Sequence, residues 1–487
     1  MIGLTSAGFL LASLLALWLA VHGATTADPL GVGGTPWRDL WTTQGRLDRG
    51  RYLTFGFVLM AVKFNLERLV AGVMFGRSWS VLAQYLHAPA FDSERFKGGD
   101  AELFTLIVLM SLPFIWTGAA MTVRRLRSAG LPVWLVALFF APVLNLFFFL
   151  LMAALPEADA ERTGGEWLDR FVPRSKAGCA AMVVGFCGAL ALVMAQLSTL
   201  LLKGYGWGLF IGLPFVMGLL SALLYGHHER RSFSECLGVA MLAVTFGGLV
   251  LFAAAVEGVI CLAMAAPIGY GLALMGAGLG WLLQDHSRAP GKSLAMLLLV
   301  AGVPALMGAE ELAAERDRVL PVSTSVEVDA PPAAVWRNVV EFAELPEPTN
   351  PLFKLGFAYP LRATIEGRGV GAVRRCEFTT GAFVEPITVW DEPRLLKFSV
   401  TSQPAPMKES SWYPDLHPAH LDGFLVSEGG QFRLEELPGG RTKLTGTTWY
   451  RHEIRPSWYW RPFSDAIIAR IHARVLAHVK RLSEGKA

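Results

Sequence analysis

CLGVAMLAVTFGGLVLFAAAVEGVICLAMAAPIGYGLALMGAGLGWLL, residues 236–283, decides the fold class. Glu257 is the single charged residue in the run. A helix needs about 20 apolar residues to cross a hydrocarbon core of about 30 Å. The run is therefore too long for one crossing and has to break, either at Glu257-Gly258 or at Pro267-Ile268-Gly269. In the first case Glu257 is an interfacial residue of no consequence. In the second it lies within the membrane, where a charge is costly and marks function.

Working outward, further apolar stretches suggest crossings near 4–22, 52–75, 102–123, 132–155, 178–202, 207–225 and 294–309, about nine with the two above. Of 487 residues, 53% are apolar and 17% charged, with mean hydropathy +0.43. A soluble chain of that composition could not cover its surface with polar groups, since ordinary domains carry about 25% charged residues. The first stretch has the apolar core of a signal peptide but no basic residues before it, which favours an uncleaved helix. A net charge of +3 with no basic run argues against nucleic acid as a partner. Cys179, Cys187, Cys236, Cys261 and Cys376 form no CxxC pair, so spacing supports neither a disulfide framework nor a thiolate metal site. The expectation is no metal and no cofactor.

After Ala309 the pattern changes to a charged connector (310–321) and then to polar–apolar alternation punctuated by turn residues. Ser323–Val328, Leu361–Ile365, Ala372–Thr379, Phe383–Trp390, Leu395–Thr401, Gly430–Glu435 and Thr442–Tyr450 read as strands. Ala333–Phe342 reads as a short helix. Ser464–Ser483 reads as a long amphipathic one, with Ile467, Ile468, Ile471, Val475, Val479 and Leu482 on one face.

The opening VEVDAPPAAVW (Val326–Trp336), the hairpin Trp390-Asp391-Glu392-Pro393-Arg394-Leu395-Leu396 and the hairpin Leu437–Leu444 resemble, in that order, motifs of the SRPBCC superfamily, which includes START and polyketide-cyclase-like domains. The resemblance covers about residues 322–485. It implies a helix-grip fold, a curved antiparallel sheet around a long C-terminal helix, enclosing an apolar cavity for lipids, sterols, polyketides or aromatic molecules. The fold class expected is thus a polytopic α-helical membrane protein followed by a C-terminal α+β helix-grip domain.

Residues 44–156 resemble a second family, domain-of-unknown-function family 805, which consists of small bacterial inner-membrane proteins. The resemblance rests on GRLDRGRY (Gly45–Tyr52) and VRRLRSAGLPVW (Val123–Trp134). Arg127 and Ser128 stand where that family usually has His and Asp. The resemblance implies the inner membrane of a bacterium and assigns no chemistry. Residues 1–43 then form an N-terminal span and linker, 157–309 further crossings, and 322–487 the grip domain.

Several polar residues are candidates for more than packing. Arg124, Arg125 and Arg127, read as a loop between spans, suit a topology anchor or an anionic headgroup site. Lys63 and Glu67, four apart in an apolar span, share a helix face and suit an internal ion pair or, alternatively, part of a proton or solute path. Alternation sends Arg374 and Arg375 to opposite faces, and a buried arginine needs a carboxylate, for which Glu385 is available, or else an acidic ligand; Arg374 and Glu385 are therefore candidates for ligand binding as well as for a structural pair. Asp415, His417, His420 and Asp422 lie in a proline-broken loop, Thr401 to Phe424, that is long for a compact domain and rich in aromatics such as Trp412; the His and Asp side chains suit plain loop structure, polar contacts at a cavity mouth or, at such spacing, a metal. That loop is expected to gate the cavity as a lid facing the membrane. Trp390, Ile468, Ile471 and Val475 are expected to line the cavity with strand residues such as Phe378 or Phe398. Trp458, Tyr459 and Trp460 suit core packing or a membrane surface.

The absence of a G-x-S-x-G elbow, Walker loop, Rossmann fingerprint or HExxH gives an enzyme no positive motif. The leading reading is a membrane-tethered module that binds or carries a lipophilic molecule taken from the bilayer. The alternatives are a cyclase, dehydratase or hydrolase acting on such a ligand, and a transporter gated by the soluble domain. Basic residues do not settle which side the C-terminal domain occupies; the expectation is the cytoplasm.

Overall fold

The computed structural model describes residues 10–15, 18, 40–77, 79, 101–141, 144–155, 157, 167–284, 292–312, 319–413 and 416–485. The expected crossing at 4–22 lies largely outside them, and Pro414, Asp415 and residues 313–318 of the charged connector lie outside them too. The chain divides into two compact units. One comprises 1–198, 207–250 and 266–315, and the other 199–206, 251–265 and 316–487.

The first unit is helical: α1 (Arg49–Phe75), α2 (Ala101–Ser128), a 3-10 helix (Val133–Phe140), α3 (Leu144–Ala154), α4 (Lys176–Gln196), α5 (Leu213–Tyr225), most of α6 (Phe233–Ala253) and of α7 (Val259–Leu282), and α8 (Lys292–Leu312). Among the described residues six helices are long and apolar enough to cross a membrane: Ala101–Ser128, Lys176–Leu201, Gly208–Tyr225, Phe233–Ala253, Val259–Leu282 and Ala295–Leu312. The expected count of about nine is not confirmed among the described residues. Lys63, Glu67 and Arg68 make α1 too charged to join this group, although it is 27 residues long. The stretch expected to cross at 132–155 is divided between the 3-10 helix and the 11-residue α3, both too short.

The run 236–283 breaks at the first of its two candidate points: α6 ends at Ala253 and α7 begins at Val259, while Pro267 stays inside α7. In the apolar window of Gly208–Tyr225, 83% is buried within the protein, against 22–39% for the other five, so this helix is the centre of its unit. Glycines permit that burial. A Cβ at Gly218 would lie 1.9 Å from the Ala273 carbonyl oxygen, and one at Gly276 would lie 2.1 Å from that of Phe215. Small residues at such crossings let backbones approach, which is how helices pack where lipid removes the hydrophobic drive.

The second unit is a helix-grip. Seven antiparallel strands lie in the order β1-β7-β6-β5-β4-β3-β2. They are β1 (Leu320–Val328), β2 (Pro360–Glu366), β3 (Val373–Phe378), β4 (Gly381–Asp391), β5 (Leu395–Ser399), β6 (Leu425–Leu437) and β7 (Arg441–His452). Between β1 and β2 lie α9 (Pro332–Val340) and the single-turn α10 (Pro351–Lys354); α11 (Ser457–Ser483) closes the domain. Prolines 331 and 332 start α9 because the ring presets the helical φ of a first turn. α9 buries Val335, Trp336 and Val339, and α11 buries Val475, Leu476 and Val479, in one core with Val328, Leu396, Leu434 and Leu444. Each such side chain contributes about 1.5–3 kcal/mol on burial. α11 starts seven residues before the expected Ser464 and carries Pro462 within it.

Candidate functional site

The inner face of the sheet holds one ion pair in an aromatic setting. Arg374 on β3 and Glu385 on β4 are register partners, and their guanidinium and carboxylate are in contact with side chains 2% and 8% exposed. Strand alternation puts Arg374 and Cys376 inside and leaves Arg375 outside, beside Glu366. Arg374 Nε donates to the Val340 carbonyl at 3.2 Å, and the guanidinium lies 5.5–5.7 Å from the rings of Phe342, Phe398 and Phe432. Burial works against the Arg374 charge, but Glu385 outweighs it and holds the guanidinium firmly protonated. Burial likewise pushes the Glu385 carboxyl up against the pull of Arg374, and pushes the Cys376 thiol up to about 12. Phe398 can lie flat because its partner on β6 is Gly430, where a Cβ would meet the ring at 2.6 Å.

The helix side of the same space carries His472 and His478. His472 Nε2 lies 2.7 Å from Thr448 Oγ1 on β7, and burial lowers its pKa to about 4. His478 packs near the Phe342 ring and is also lowered by burial. Neither residue stood out in the sequence, since a lone histidine on an amphipathic helix carries no spacing signal.

The other residues singled out from the sequence do not converge. Trp390 packs edge-on against Trp336. Ile468, Ile471 and Val475 belong to three different clusters: Ile468 with Val322 and Tyr450, Ile471 with Phe353, Phe357, Met407 and Leu421, and Val475 with the main core. Phe378 and Phe398 pack at the edge of that core. Trp412 is 78% exposed, its ring 4.7 Å from that of Phe252. His417 is exposed and pairs with Asp422 at 2.9 Å. Trp460 is buried, Trp458 is half exposed, and the Tyr459 hydroxyl donates to the Met264 carbonyl.

His420 behaves differently from His417. It is 9% exposed, with Nε2 2.8 Å from Cys261 Sγ and Nδ1 3.2 Å from Glu257 Oε2. Tyr205 donates its hydroxyl to Glu257 Oε1 at 2.9 Å. Burial, then the Glu257 charge, raises the Tyr205 phenol. Buried Glu409 accepts from the backbone N–H groups of Ile260 and Cys261 at 3.1 and 3.0 Å, neutralising the start of α7. All five residues belong to the second unit, which includes the connection between α6 and α7. The chain does turn at Glu257, and the loop carrying His420 covers it there, leaving its side chain 12% exposed. Cys261, Glu409 and Tyr205 were missed because sequence spacing links none of them to His420.

In the helical unit, Arg124, Arg125 and Arg127 lie in the last turns of α2, not in a loop. Arg125 is fully buried; it donates Nε to the Met152 carbonyl at 2.9 Å and also binds the carbonyls of Leu47 and Leu155. Arg124 reaches the Arg46 carbonyl at 3.2 Å, and Arg127 reaches that of Thr43. The helix continues through these residues because their side chains find carbonyl partners as cations at a helix C-terminus do. Lys63 donates to Glu67, whose carboxylate also accepts from Trp79 Nε1 at 3.2 Å and from Ser111 Oγ at 3.3 Å.

Two family models match. Residues 40–165 match "Protein of unknown function (DUF805)", and residues 320–458 match "Polyketide cyclase / dehydrase and lipid transport". No curated protein matches the chain. Similar solved structures include the truncated norcoclaurine synthase of Thalictrum flavum (14% identity, 35% of this chain and 96% of that one, TM-score 0.23). The ZhuI aromatase/cyclase of Streptomyces sp. R1128 is similar at 16% identity, over 34% and 94% of the two chains, with TM-score 0.23. The Aha1 dimer of Colwellia psychrerythraea is similar at 14%, over 34% and 99%, with TM-score 0.21. The chain thus joins a membrane region of the DUF805 type to a C-terminal SRPBCC domain of the polyketide cyclase / dehydrase and lipid transport type.

Proposed function

We propose that this is a bacterial inner-membrane protein whose helix-grip domain, on the cytoplasmic side, binds or carries a lipophilic small molecule from the bilayer. The observation that carries the reading is the inner face of the sheet, where Phe342, Phe398 and Phe432 surround an arginine already neutralised by Glu385. Such a face offers apolar and π contact to a ligand, with the positive charge of Arg374 spent on its partner. The pairing leaves neither Arg374 nor Glu385 free to act on a ligand, which favours holding over converting. The matching family model, whose description includes lipid transport, supports the ligand class. The unit that contains the domain also contains the turn between α6 and α7, two helices of membrane-spanning length, which supports a site next to lipid. Tethering keeps the local concentration of a membrane-dissolved ligand high.

The test uses the full chain in detergent with a fluorescent fatty acid and a fluorescent phospholipid as probes. Saturable binding of either, weakened about tenfold or more by Phe398→Ala with Phe432→Ala, is expected, since losing two ring contacts is worth over about 1.4 kcal/mol. Binding unchanged in a double variant that keeps its thermal midpoint would overturn the reading.

A further inference from the structure

We propose that Glu257, Cys261 and His420 form a site for a Zn²⁺-class divalent cation. A carboxylate oxygen, a thiol sulfur and an imidazole nitrogen from these residues lie within 4.8 Å of one another. These are the three donor types that zinc accepts, at bond lengths of about 2.0–2.3 Å. Donors around one such ion stand about 3–4 Å apart, so small side-chain rotations close the set.

The three donors come from distant parts of the sequence. Glu257 ends the α6–α7 connection, Cys261 lies in the first turn of α7, and His420 lies on the 3-10 turn Ala419–Leu421 of the long loop before β6. The surroundings are electronegative, with Glu409 next to Cys261 and the Tyr205 hydroxyl on Glu257. Glu257 Oε2 is buried and receives no hydrogen bond among the described residues; His420 Nδ1, 3.2 Å away, is not aligned to donate to it. A buried carboxylate oxygen with no donor is costly, and a cation is the partner that its neighbours would share.

The same three residue types could also be read as a thiol nucleophile, its base and an orienting acid. Two features disfavour that reading. The orienting acid lacks an aligned N–H from the imidazole, which a relay requires. The backbone N–H of Cys261, which would hold an oxyanion at a helix start, is taken by Glu409. Metal binding needs neither. Three protein donors leave a fourth, tetrahedral position for water or a ligand atom.

The experiment uses the full chain in detergent, stripped with a chelator, reloaded with Zn²⁺ or Co²⁺ and dialysed. About one equivalent of Zn²⁺ per chain should remain, and Co²⁺ should give a thiolate-to-cobalt charge-transfer absorption. Cys261→Ser should abolish that absorption, and His420→Ala and Glu257→Gln should each lower retained zinc to below roughly a tenth of an equivalent. Cys187→Ser, a buried thiol on α4, should change neither reading. Zinc should also protect Cys261 from alkylation by iodoacetamide. Loss of zinc in Cys261→Ser alongside an unchanged thermal midpoint for the apo protein keeps misfolding from imitating the result. Substoichiometric zinc in the parent protein, or thiol alkylation indifferent to zinc, would overturn the proposal, and cleavage of a thioester probe dependent on Cys261 without metal would replace it with the nucleophile.

Discussion

Arg374 and Glu385 stand opposite each other on adjacent strands, and both are sealed from solvent. Neither can be removed alone without leaving a buried charge. Arg374→Met or Glu385→Leu by itself should therefore cost about 3–5 kcal/mol. The double variant, which replaces a charged pair with apolar volume, should cost less than either single one. Denaturant unfolding of the full chain, followed by fluorescence of tryptophans such as Trp336 and Trp390, measures the coupling. Strictly additive costs would show that the two charges do not depend on each other.

Gly430 should tolerate almost nothing larger. A valine there would push into the Phe398 ring, so Phe398 would have to leave its place beside Arg374. Gly430→Val should lower stability by about 1–3 kcal/mol. It should also weaken lipid-probe binding, while Gly439→Val, in the hairpin turn with open space around it, should cost stability through its φ of +85° and leave probe binding alone. Equal effects on probe binding would remove Phe398 from the ligand face.

Acid should loosen the grip through His472. Burial holds its pKa at about 4, below the value of about 6.5 in an unfolded chain. Between those values the unfolded state binds more protons, so stability is full above about pH 6.5 and falls as pH drops toward 4, by at most about 1.4 kcal/mol per pH unit. His472→Gln should flatten this part of the stability profile. A slope unaltered by that substitution would assign it to other groups.

Glu310 caps the helical stretch Gly208–Tyr225 from a distant part of the sequence. Its carboxylate accepts from the backbone N–H groups of Trp207 at 2.8 Å and Gly208 at 2.6 Å, within the helical unit. Glu310→Ala leaves two buried donors open at the start of the most enclosed helix, at a cost of about 1–3 kcal/mol each. Glu310→Gln keeps one acceptor and should recover part of the loss. The thermal midpoint in detergent is the measurement, and a silent Glu310→Ala would mean that other groups satisfy those donors.

How much of this was legible varied with distance along the chain. The parity of Arg374 and Arg375 follows from the two-residue period of a strand, and Glu385 lies only 11 residues on, so the sequence offered an arginine for the inner face and a carboxylate within reach, and the strand register decides which arginine it is. The break in 236–283 was narrowed to two places, and Glu257-Gly258 prevails because a proline can be accommodated within a long membrane helix, as Pro267 is in α7. The apolar stripe of α11 is divided among clusters for a physical reason. Helical period puts Ile468, Ile471 and Val475 near one stripe, but the helix crosses three different surfaces along its length, so one stripe serves three clusters. The grouping of Cys261 with His420 spans 159 positions, and only tertiary structure brings such residues together.

The pairing of β1 with β7, from Leu320↔Tyr450 to Val328↔Thr442, has a consequence during synthesis. The first strand made is the neighbour of the last. At about 5–20 residues per second, β1 waits roughly 6–25 s for its partner to leave the ribosome. Over that interval its hydrogen-bonding edge is unmatched, an open template for strands of other chains. A nascent chain stalled before residue 441 should therefore need a chaperone on β1, while the released chain should have its sheet complete.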